Sequence, residues 1–365
     1  MKSRPMAIAL LVAALFALPS CAGAAKVSRP KVPAGFFGVM ADGPLLFNGF
    51  DDQAEFDVMD RTGVQTIRMA MPWSVMEPKP GQLDFSASDT VVAQAAGHGF
   101  TPLPTVTFAP DWAARHPGNS NSPPEGTENY ANFIAACVRR YGPGGSFWAE
   151  HPDVPARPIR SWQVWNEPNQ PVFNWSDQPF AADYVALLRA ARAAIKGVDP
   201  GAHVVLAGLV GTSWTALAQV YKAGGRKLFD EVAIHPFTLQ PPNVLKILRK
   251  DRAVMRRYHD NRKPMYITEL TWPAAKGKRL TRTYGYEVND AQQARKLGQV
   301  IPLLVEQRRA LRLERVYWYT WISAAPEPTN DPFSYSGLRQ LTDDGSTVRS
   351  RPSLAVYARM AHRYE

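Results

Sequence analysis

Short apolar runs with strand character alternate along most of this chain with longer, amphipathic segments of helical character. The runs are closed by turn-forming residues such as Pro, Gly and Asn. We predict eight strands, at 36–40, 66–71, 101–108, 161–167, 203–210, 231–237, 264–270 and 315–321. We predict eight helices that follow them, at 51–62, 86–98, 128–141, 181–198, 217–223, 243–258, 290–308 and 353–363.

Strict alternation of this kind makes the strands parallel, because each helix carries the chain back to the start of the next strand. Eight such units predict a single-domain TIM barrel, a closed (β/α)8 fold within the α/β class, over residues 35–365. A doubly wound open sheet is the alternative. It is disfavoured because no Gly-rich turn follows the first strand. We find no internal repeat and no second domain.

Two of the predicted strands end in a glutamate. Strand four lies in S-W-Q-V-W-N-E-P-N, and Pro168 should end it just past Glu167, since proline donates no ladder hydrogen bond. Strand seven reads P-M-Y-I-T-E-L and ends around Glu269. The C-terminal ends of the strands form the catalytic face of an α/β barrel. Two carboxylates there suit glycoside hydrolysis, in which one protonates the leaving oxygen and the other attacks or activates water.

The motifs W-N-E-P-N and I-T-E-L-T-W resemble those of the clan A glycoside hydrolases, and look most like families 39 and 5 of that clan. The resemblance covers most of the chain after about residue 35. It implies that Glu167 is the acid/base, that Glu269 is the nucleophile and that the anomeric configuration is retained. Retaining enzymes hold the two carboxyl groups about 5–5.5 Å apart, and inverting enzymes about 6.5–9.5 Å.

Further polar residues at predicted strand ends join the candidate site. Arg68 lies in the apolar strand T-I-R-M-A-M, where an arginine is costly unless it is paired. The resemblance implies that it supports the nucleophile, and that Asn166 donates to the sugar 2-OH. His235 ends V-A-I-H-P-F, where the family has an H-P-Y pattern. Phe237 departs from that pattern, because a tyrosine there often hydrogen-bonds the nucleophile. We expect Tyr266 or another hydroxyl to replace it.

Tryptophans are predicted to form a sugar-binding platform. Sugar rings pack their C–H faces on indole rings, and the indole N–H adds a polar contact. Five tryptophans fall at or just after predicted strand ends, which would gather them on the catalytic face: Trp73, Trp112, Trp272, Trp318 and Trp321. The long loops 40–50, 72–85, 109–127, 271–289 and 322–352 also follow strands, and we expect them to shape a cleft.

The first 24 residues read as a cleavable signal peptide. A basic start precedes the apolar run Ala7–Leu18, which is too short to span a bilayer, and an A-x-A site follows. A lipoprotein leader that ends at residue 20 is the alternative, with Cys21 as the lipid anchor. We therefore expect a secreted or cell-surface protein. Either event removes Cys21 as a disulfide partner, so we expect Cys137 to be a buried thiol.

Composition excludes several other functions. The 365 residues carry a formal net charge of +10, but the basic residues are scattered, mostly over predicted helices. Solvated outer faces explain this better than an anionic polysaccharide or an envelope surface. We find no nucleic-acid motif and no G-x-S-x-G elbow. The seven histidines have no metal-binding spacing, so we expect no metal and no cofactor.

These patterns predict an exported retaining glycoside hydrolase that acts on a poly- or oligosaccharide. We expect a monomer with a carbohydrate substrate, no nucleic-acid partner and no integral membrane span. A non-catalytic barrel that binds cell-envelope polysaccharide is one alternative, although such a protein has no need of the glutamate pair. A transglycosylase is another, since it would use the same catalytic residues and differ in the access of water.

Overall fold

The centre of the fold is a sheet of parallel strands that curves into an α/β barrel. The computed structural model describes residues 32–47, 52–171, 175, 179–323, 331–342 and 347–365. The strands of this sheet are β1 Phe37–Ala41, β2 Thr66–Pro72, β3 Thr101–Thr107, β4 Ser161–Val164, β5 His203–Val205, β6 Leu209–Val210, β7 Val232–His235, β8 Met265–Leu270 and β9 Leu313–Trp318. The predicted leader 1–24, with Cys21, lies outside the described residues.

The order of the strands excludes the doubly wound alternative. They pair in the order β5-β4-β3-β2-β1-β9-β8-β7-β6, so that the chain runs around the sheet and β1 lies beside β9. Phe37 is opposite Val316 in this parallel pair. The two ends of the row, β5 and β6, are separated only by residues 206–208, and a parallel bridge joins Val205 to Glu231. This continuous order is that of a barrel wall.

Amphipathic helices connect the strands and cover the barrel. They are α1 Pro44–Phe47, α2 Asp52–Arg61, α3 Trp73–Met76, α4 Ser86–Gly97, α5 Thr127–Tyr141, α6 Ser146–Glu150, α7 Phe180–Val198, α8 Ser213–Lys222, α9 Pro241–Arg257, α10 Asp290–Leu311 and α11 Pro352–Tyr364. Local sequence explains several of their ends. Asn289 and Gln292 form a capping box at the start of α10, and Pro241 opens α9, where its missing N–H costs nothing.

A small second sheet lies within the stretch 322–352, which was predicted to be a loop. It consists of β10 Ile322–Ser323, β11 Arg339–Leu341 and β12 Val348–Ser350. The buried Glu55 of α2 holds this sheet to the barrel wall, because it binds the Arg339 guanidinium through two bonds of 2.7 Å. Such a bidentate pair fixes orientation as well as position.

Several of the predicted strands have other bounds in the structure, and two of these differences shape the C-terminal end of the barrel. Strand four was predicted to reach Glu167, but the ladder ends at Val164. Trp165 and Glu167 then adopt positive φ angles of 69° and 46°, which strands do not tolerate. The predicted strand 203–210 is interrupted, since residues 206–208 separate β5 from β6. Both irregularities lie at the C-terminal ends of strands.

The interior of the barrel contains both apolar and polar residues. A buried cluster of its own is formed by Leu103, Val205, Ala233, Tyr266 and Tyr317. Buried Arg68 and Gln163 lie in register with two of its members, Leu103 and Val205. Cys137 is a free, buried thiol on α5, as predicted. Among the described residues, no helix combines the length and apolar character that crossing a bilayer requires.

Candidate active site

The two predicted glutamates meet at the C-terminal end of the barrel. Glu269 lies on β8, and Glu167 lies in the turn that follows β4. Both side chains are buried. One oxygen of each carboxylate and one ring nitrogen of His235 all lie within 4.8 Å of one another. The left-handed backbone at Glu167, which costs an ordinary residue of order 1–3 kcal/mol, bends the chain so that this carboxylate faces Glu269.

Glu269 is paired with the buried Arg68, as predicted. Arg68 Nη1 donates to Glu269 Oε1 at 2.7 Å, and the arginine is 1% exposed. Burial raises the pKa of Glu269, whereas His235 and Arg68 lower it. The direct bond from a permanent cation favours the ionised form of this carboxylate.

Glu167 has a different environment. His235 Nδ1 lies 2.6 Å from Glu167 Oε1, and the nearest amide, that of Gln170, is 3.4 Å from Oε2. Burial raises the pKa of Glu167 to about 7. Burial also lowers the pKa of His235 to about 4, so the imidazole is neutral at neutral pH. The two carboxylates thus differ in their main partner. Glu269 binds a cation, whereas Glu167 binds the neutral imidazole, whose Nδ1 is farther from Glu269 Oε2, at 3.6 Å.

Arg68 also orients the predicted sugar-binding asparagine. Its Nη2 donates to Asn166 Oδ1 at 2.7 Å, and its Nε donates to Gln163 Oε1 at the same distance. Because a guanidinium can only donate, it fixes the oxygen of Asn166 toward itself. The amide nitrogen of Asn166 is then left to donate to another group.

His235 requires the space beside residue 208. A Cβ atom on Gly208 would lie 1.9 Å from His235 Nε2 and 2.4 Å from Cε1. No side chain can therefore occupy position 208 while the imidazole holds its place. The interruption between β5 and β6 places Gly208, which has no side chain, against the His235 ring.

The five tryptophans of the predicted platform face protein in the structure. Trp73, Trp272, Trp318 and Trp321 are buried, and Trp112 is partly buried against Trp73. Each indole N–H donates to an acceptor within the protein. The pairs are Trp73 to Glu77 Oε2, Trp112 to Glu77 O, Trp272 to Thr238 O, Trp318 to Ser336 O and Trp321 to Glu55 Oε2. These rings pack under the loops of the catalytic face, and the strand-end position reflects that packing.

Tyr266 lies away from the two glutamates, near the beginning of β8. Its ring belongs to the buried cluster of Leu103, Val205, Ala233 and Tyr317, with the Arg315 guanidinium 5.2 Å from the ring centre. It cannot supply the hydroxyl that Phe237 lacks. Phe237 itself packs edge-on against His235, with ring centres 5.9 Å apart.

Phe237 and four aromatic residues that were not predicted line the site instead. Phe237 contacts Phe333 at 5.0 Å and stacks with Tyr286 at 6.3 Å between ring centres. Tyr284 stacks on Tyr286 at 5.6 Å, and Tyr319 contacts Phe333 at 5.8 Å. We call these five residues the aromatic wall. Their signal was weak, since four of them lie inside long loops or just past strand ends.

Asp42 was missed as well, although it directly follows β1. The Thr320 hydroxyl donates to its Oδ1 at 2.5 Å. Burial raises the pKa of Asp42 to about 6, and the charge of Arg68 opposes the rise. Burial and the negative charges of Asp42, Glu269 and Asp331 raise the pKa of Tyr319. The strand-end rule that found Glu269 would have found both Asp42 and Tyr319.

Glu167, His235 and Glu269 form the one group among the described residues with three metal-type ligand atoms close together. Two of these atoms already bind each other, since His235 Nδ1 lies 2.6 Å from Glu167 Oε1. Arg68 contacts the third residue at 2.7 Å, and a cation there disfavours a second cation. The chemistry of the group is that of an acid–base pair with a supporting imidazole.

Comparison with known proteins supports the same fold. Residues 51–132, a minority of the chain, match the model of glycoside hydrolase family 42, described as beta-galactosidase. No curated protein sequence matches the chain.

Several solved structures share the fold at low identity. One is a family 39 glycoside hydrolase from the gut symbiont Bacteroides cellulosilyticus WH2, 21% identical, TM-score 0.66, with 91% of this chain and 64% of that chain covered. Another is a monomeric beta-xylosidase from Caulobacter crescentus CB15, which is 20% identical with a TM-score of 0.65; the match covers 90% of this chain and 68% of that one. A third is the GH39 enzyme from Xanthomonas axonopodis pv. citri, 20% identical, TM-score 0.65, covering 90% and 66%.

The chain is therefore similar to glycoside hydrolase barrels, and the predicted resemblance to clan A and to family 39 is confirmed. It spans 64% of the length of the first of these structures. At these identities the likeness shows the α/β barrel fold. The activity is argued from the site.

Proposed function

We propose that this chain is a retaining glycoside hydrolase that cleaves O-glycosidic bonds in an oligo- or polysaccharide by double displacement. The observation that carries the proposal is the pair Glu167 and Glu269, which have oxygens within 4.8 Å of each other and unlike surroundings. This spacing suits the retaining class, with its separation of about 5–5.5 Å, better than the inverting class. Arg68 favours an ionised Glu269, and burial favours a protonated Glu167.

Glu269 and Glu167 then each have one role in each of the two displacement steps. Glu269 attacks the anomeric carbon while Glu167 gives its proton to the departing oxygen, and the glycosidic C–O bond breaks. Glu167 next takes a proton from water, whose oxygen attacks the same carbon and releases Glu269. The amide nitrogen of Asn166, turned away from Arg68, supports a hydrogen bond to the sugar 2-OH.

Charge at the site favours a neutral sugar. Four carboxyl groups gather there. In addition to burial, Asp331 raises the pKa of Glu167, Glu167 raises that of Glu269, and Asp42, Glu269 and Asp331 raise that of Tyr319. The cations Arg68 and Arg282 lie among them and both are paired, Arg68 with Glu269 at 2.7 Å and Arg282 with Asp331 at 3.3 Å. A uronic acid would bring a further negative charge to this cleft, whereas sugar hydroxyls can donate to carboxylates. We therefore propose neutral glycosides as substrates.

The aromatic wall gives the cleft a direction. Burial raises the pKa of Tyr284 and Tyr286, and the charge of Glu167 adds to the rise, so these rings lie on the side of the proposed acid/base. Burial also raises the pKa of Tyr319, where the charges of Asp42 and Glu269 contribute, so this ring lies on the side of Glu269. The acid/base protonates the leaving group. We therefore assign Tyr284 and Tyr286 to the leaving-group side and Tyr319 with Asp42 to the sugar that becomes bound to Glu269.

We extend the proposal to the architecture and location of the protein. If β5 and β6 are one interrupted strand, the fold is a single-domain (β/α)8 barrel. Two observations support this architecture: the bond from Leu206 N to Glu231 O, and the compactness of residues 31–365. The pattern of residues 1–24 supports export, tested by the mass of the mature protein. A monomer, by analogy with the similar xylosidase, is tested by light scattering.

The activity is tested with a panel of neutral and uronic aryl glycosides and with soluble and insoluble polysaccharides. We expect release from a neutral glycoside or polymer, loss of release in Glu269→Ala, and a first product with the anomeric configuration of the substrate by proton NMR. Polysaccharide retention without cleavage would replace the proposal with a binding protein. Transfer to sugar acceptors in place of water would replace it with a transglycosylase.

A further inference from the structure

A continuous chain of side-chain hydrogen bonds runs beneath the two glutamates and connects them. Its members are all buried, and we call it the relay: Glu269, Arg68, Gln163, Thr268, His235 and Glu167, in that order. It runs from β8 through β2 and β4, returns to β8 at Thr268, and continues through β7 to the turn after β4. Because each bond has one donor and one acceptor, the direction of donation can be derived along it.

The direction is decided at Gln163. Arg68 Nε, which can only donate, lies 2.7 Å from Gln163 Oε1, and the Thr105 hydroxyl donates to the same oxygen at 2.9 Å. The carbonyl of Leu206, which can only accept, lies 3.0 Å from Nε2. The amide orientation is therefore fixed, and the nitrogen of Gln163 faces Thr268 Oγ1 at 3.5 Å.

The hydrogen bonds of Thr268 determine which ring nitrogen of His235 carries the proton. Its oxygen accepts from Gln163, so its own hydroxyl proton needs another acceptor. The side chain is fully buried, and a buried hydroxyl donor without a partner is unfavourable. The remaining partner is His235 Nε2, 2.9 Å away. Nε2 must then carry a lone pair.

We propose that the relay holds His235 as the Nδ1–H tautomer, which donates to Glu167 Oε1 and leaves Oε2 as the oxygen that carries the catalytic proton. Thr268 and Gln163 are the positioning residues that set this tautomer. The imidazole keeps its proton through both steps, and Oε2 gives its proton to the leaving oxygen and later receives one from water. The catalytic part of this inference rests on the proposed function, whereas the tautomer does not.

Other charged and titratable groups also face Glu167 and His235. They come from several elements: Arg68 on β2, Glu269 on β8, Tyr284 and Tyr286 from the loop after β8, and Asp331 beyond β10. All of them keep their charge and side chain when Thr268 is changed. A change in the pKa of Glu167 in a Thr268 variant can therefore be assigned to the relay.

The first measurement is the tautomer of His235 in the wild-type protein. With 15N-labelled histidine, the ring nitrogen shifts are assigned by the signals that His235→Gln removes. We expect a protonated Nδ1 and an unprotonated Nε2 at neutral pH. A protonated Nε2 would overturn the proposal. This readout needs no substrate, so it decides the tautomer even if no glycoside is hydrolysed and the proposed function fails.

The second measurement compares Thr268→Val, which keeps the shape and loses the hydroxyl, with Thr268→Ser, which keeps the hydroxyl. In the valine variant His235 Nε2 loses the hydroxyl that donates to it, so the tautomer with the proton on Nε2 becomes accessible. The hydrogen bond from Nδ1–H to the Glu167 carboxylate is then weaker. We expect the upper limb of the kcat/KM profile to move up by about one pH unit. The serine variant should keep the wild-type limb. An unchanged or lowered limb in a folded valine variant would refute the relay.

Discussion

Replacing Arg68 by methionine tests the central ion pair of the site. Methionine keeps the length of the side chain and removes the charge and all the donors. The change breaks three bonds of 2.7 Å, to Glu269, Gln163 and Asn166. Removing one partner of a buried ion pair costs about 3–5 kcal/mol, because the other charge stays buried and uncompensated. We expect a loss of this size in the free energy of unfolding near neutral pH.

The pH dependence of this loss has a definite sign. Burial holds the pKa of Glu269 above its unfolded value of 4.5, and Arg68 opposes that rise. Without Arg68 the folded pKa rises further, so folded Glu269 is favoured in its protonated form. The variant should therefore lose stability, relative to wild type, as the pH rises above the folded pKa of wild-type Glu269, which itself lies above 4.5, toward the higher folded pKa of the variant. Below the wild-type folded pKa only the loss of the neutral hydrogen bonds remains.

Urea unfolding from pH 5 to 8 measures both quantities. Arg192→Met is the matched control, because it removes an arginine that binds Asp230 at 3.0 Å on the partly exposed helical surface. Such pairs contribute about 0–1 kcal/mol. The stabilising role of Arg68 is refuted if Arg68→Met loses no more stability than the control, or if its loss is the same at pH 5 and at pH 8.

Three further outcomes are expected. Gly208→Ala should fold but lose about 100-fold in kcat, because its Cβ displaces His235, whereas Gly197→Ala, with open space around it, should keep full activity. The kcat/KM of the wild type should fall above about pH 7, since Glu167 must be protonated to act as the acid, and an activity that rises there would contradict the assignment. Tyr284→Ala should raise KM about threefold to tenfold for oligosaccharides and leave small aryl glycosides unaffected, and equal effects on both would place this exposed ring elsewhere.

Features carried by chain-local patterns were predictable. The alternation of strands and helices indicated the barrel, because each element needs its own periodicity and its own end signals. Glu269 was found because it ends an apolar strand, and Arg68 because a charged residue inside an apolar strand must be paired. The structure pairs the two at 2.7 Å. The strand-four glutamate was placed on the correct face, although its strand ends three residues earlier.

Other features depend on contacts between distant loops. The five tryptophans stand at strand ends as expected, but whether each ring faces sugar or protein depends on which loop covers it. Here other loops cover the rings, so they face protein. Tyr266 lies at the wrong depth, because a few residues along a strand separate one layer of the interior from the next. The aromatic wall brings together loops that are separated by up to 96 positions between Phe237 and Phe333.

The sequence by itself determined the class of fold, the two carboxylates and the need for a buried cation, since each follows from residue types at fixed positions along the chain. Only the tertiary structure decided the spacing of the carboxylates, the unlike environments of Glu167 and Glu269, and the relay that joins them. The reason is physical. Desolvation and hydrogen bonding, which set pKa values and tautomers, depend on distances of a few ångströms between segments that the chain order leaves far apart.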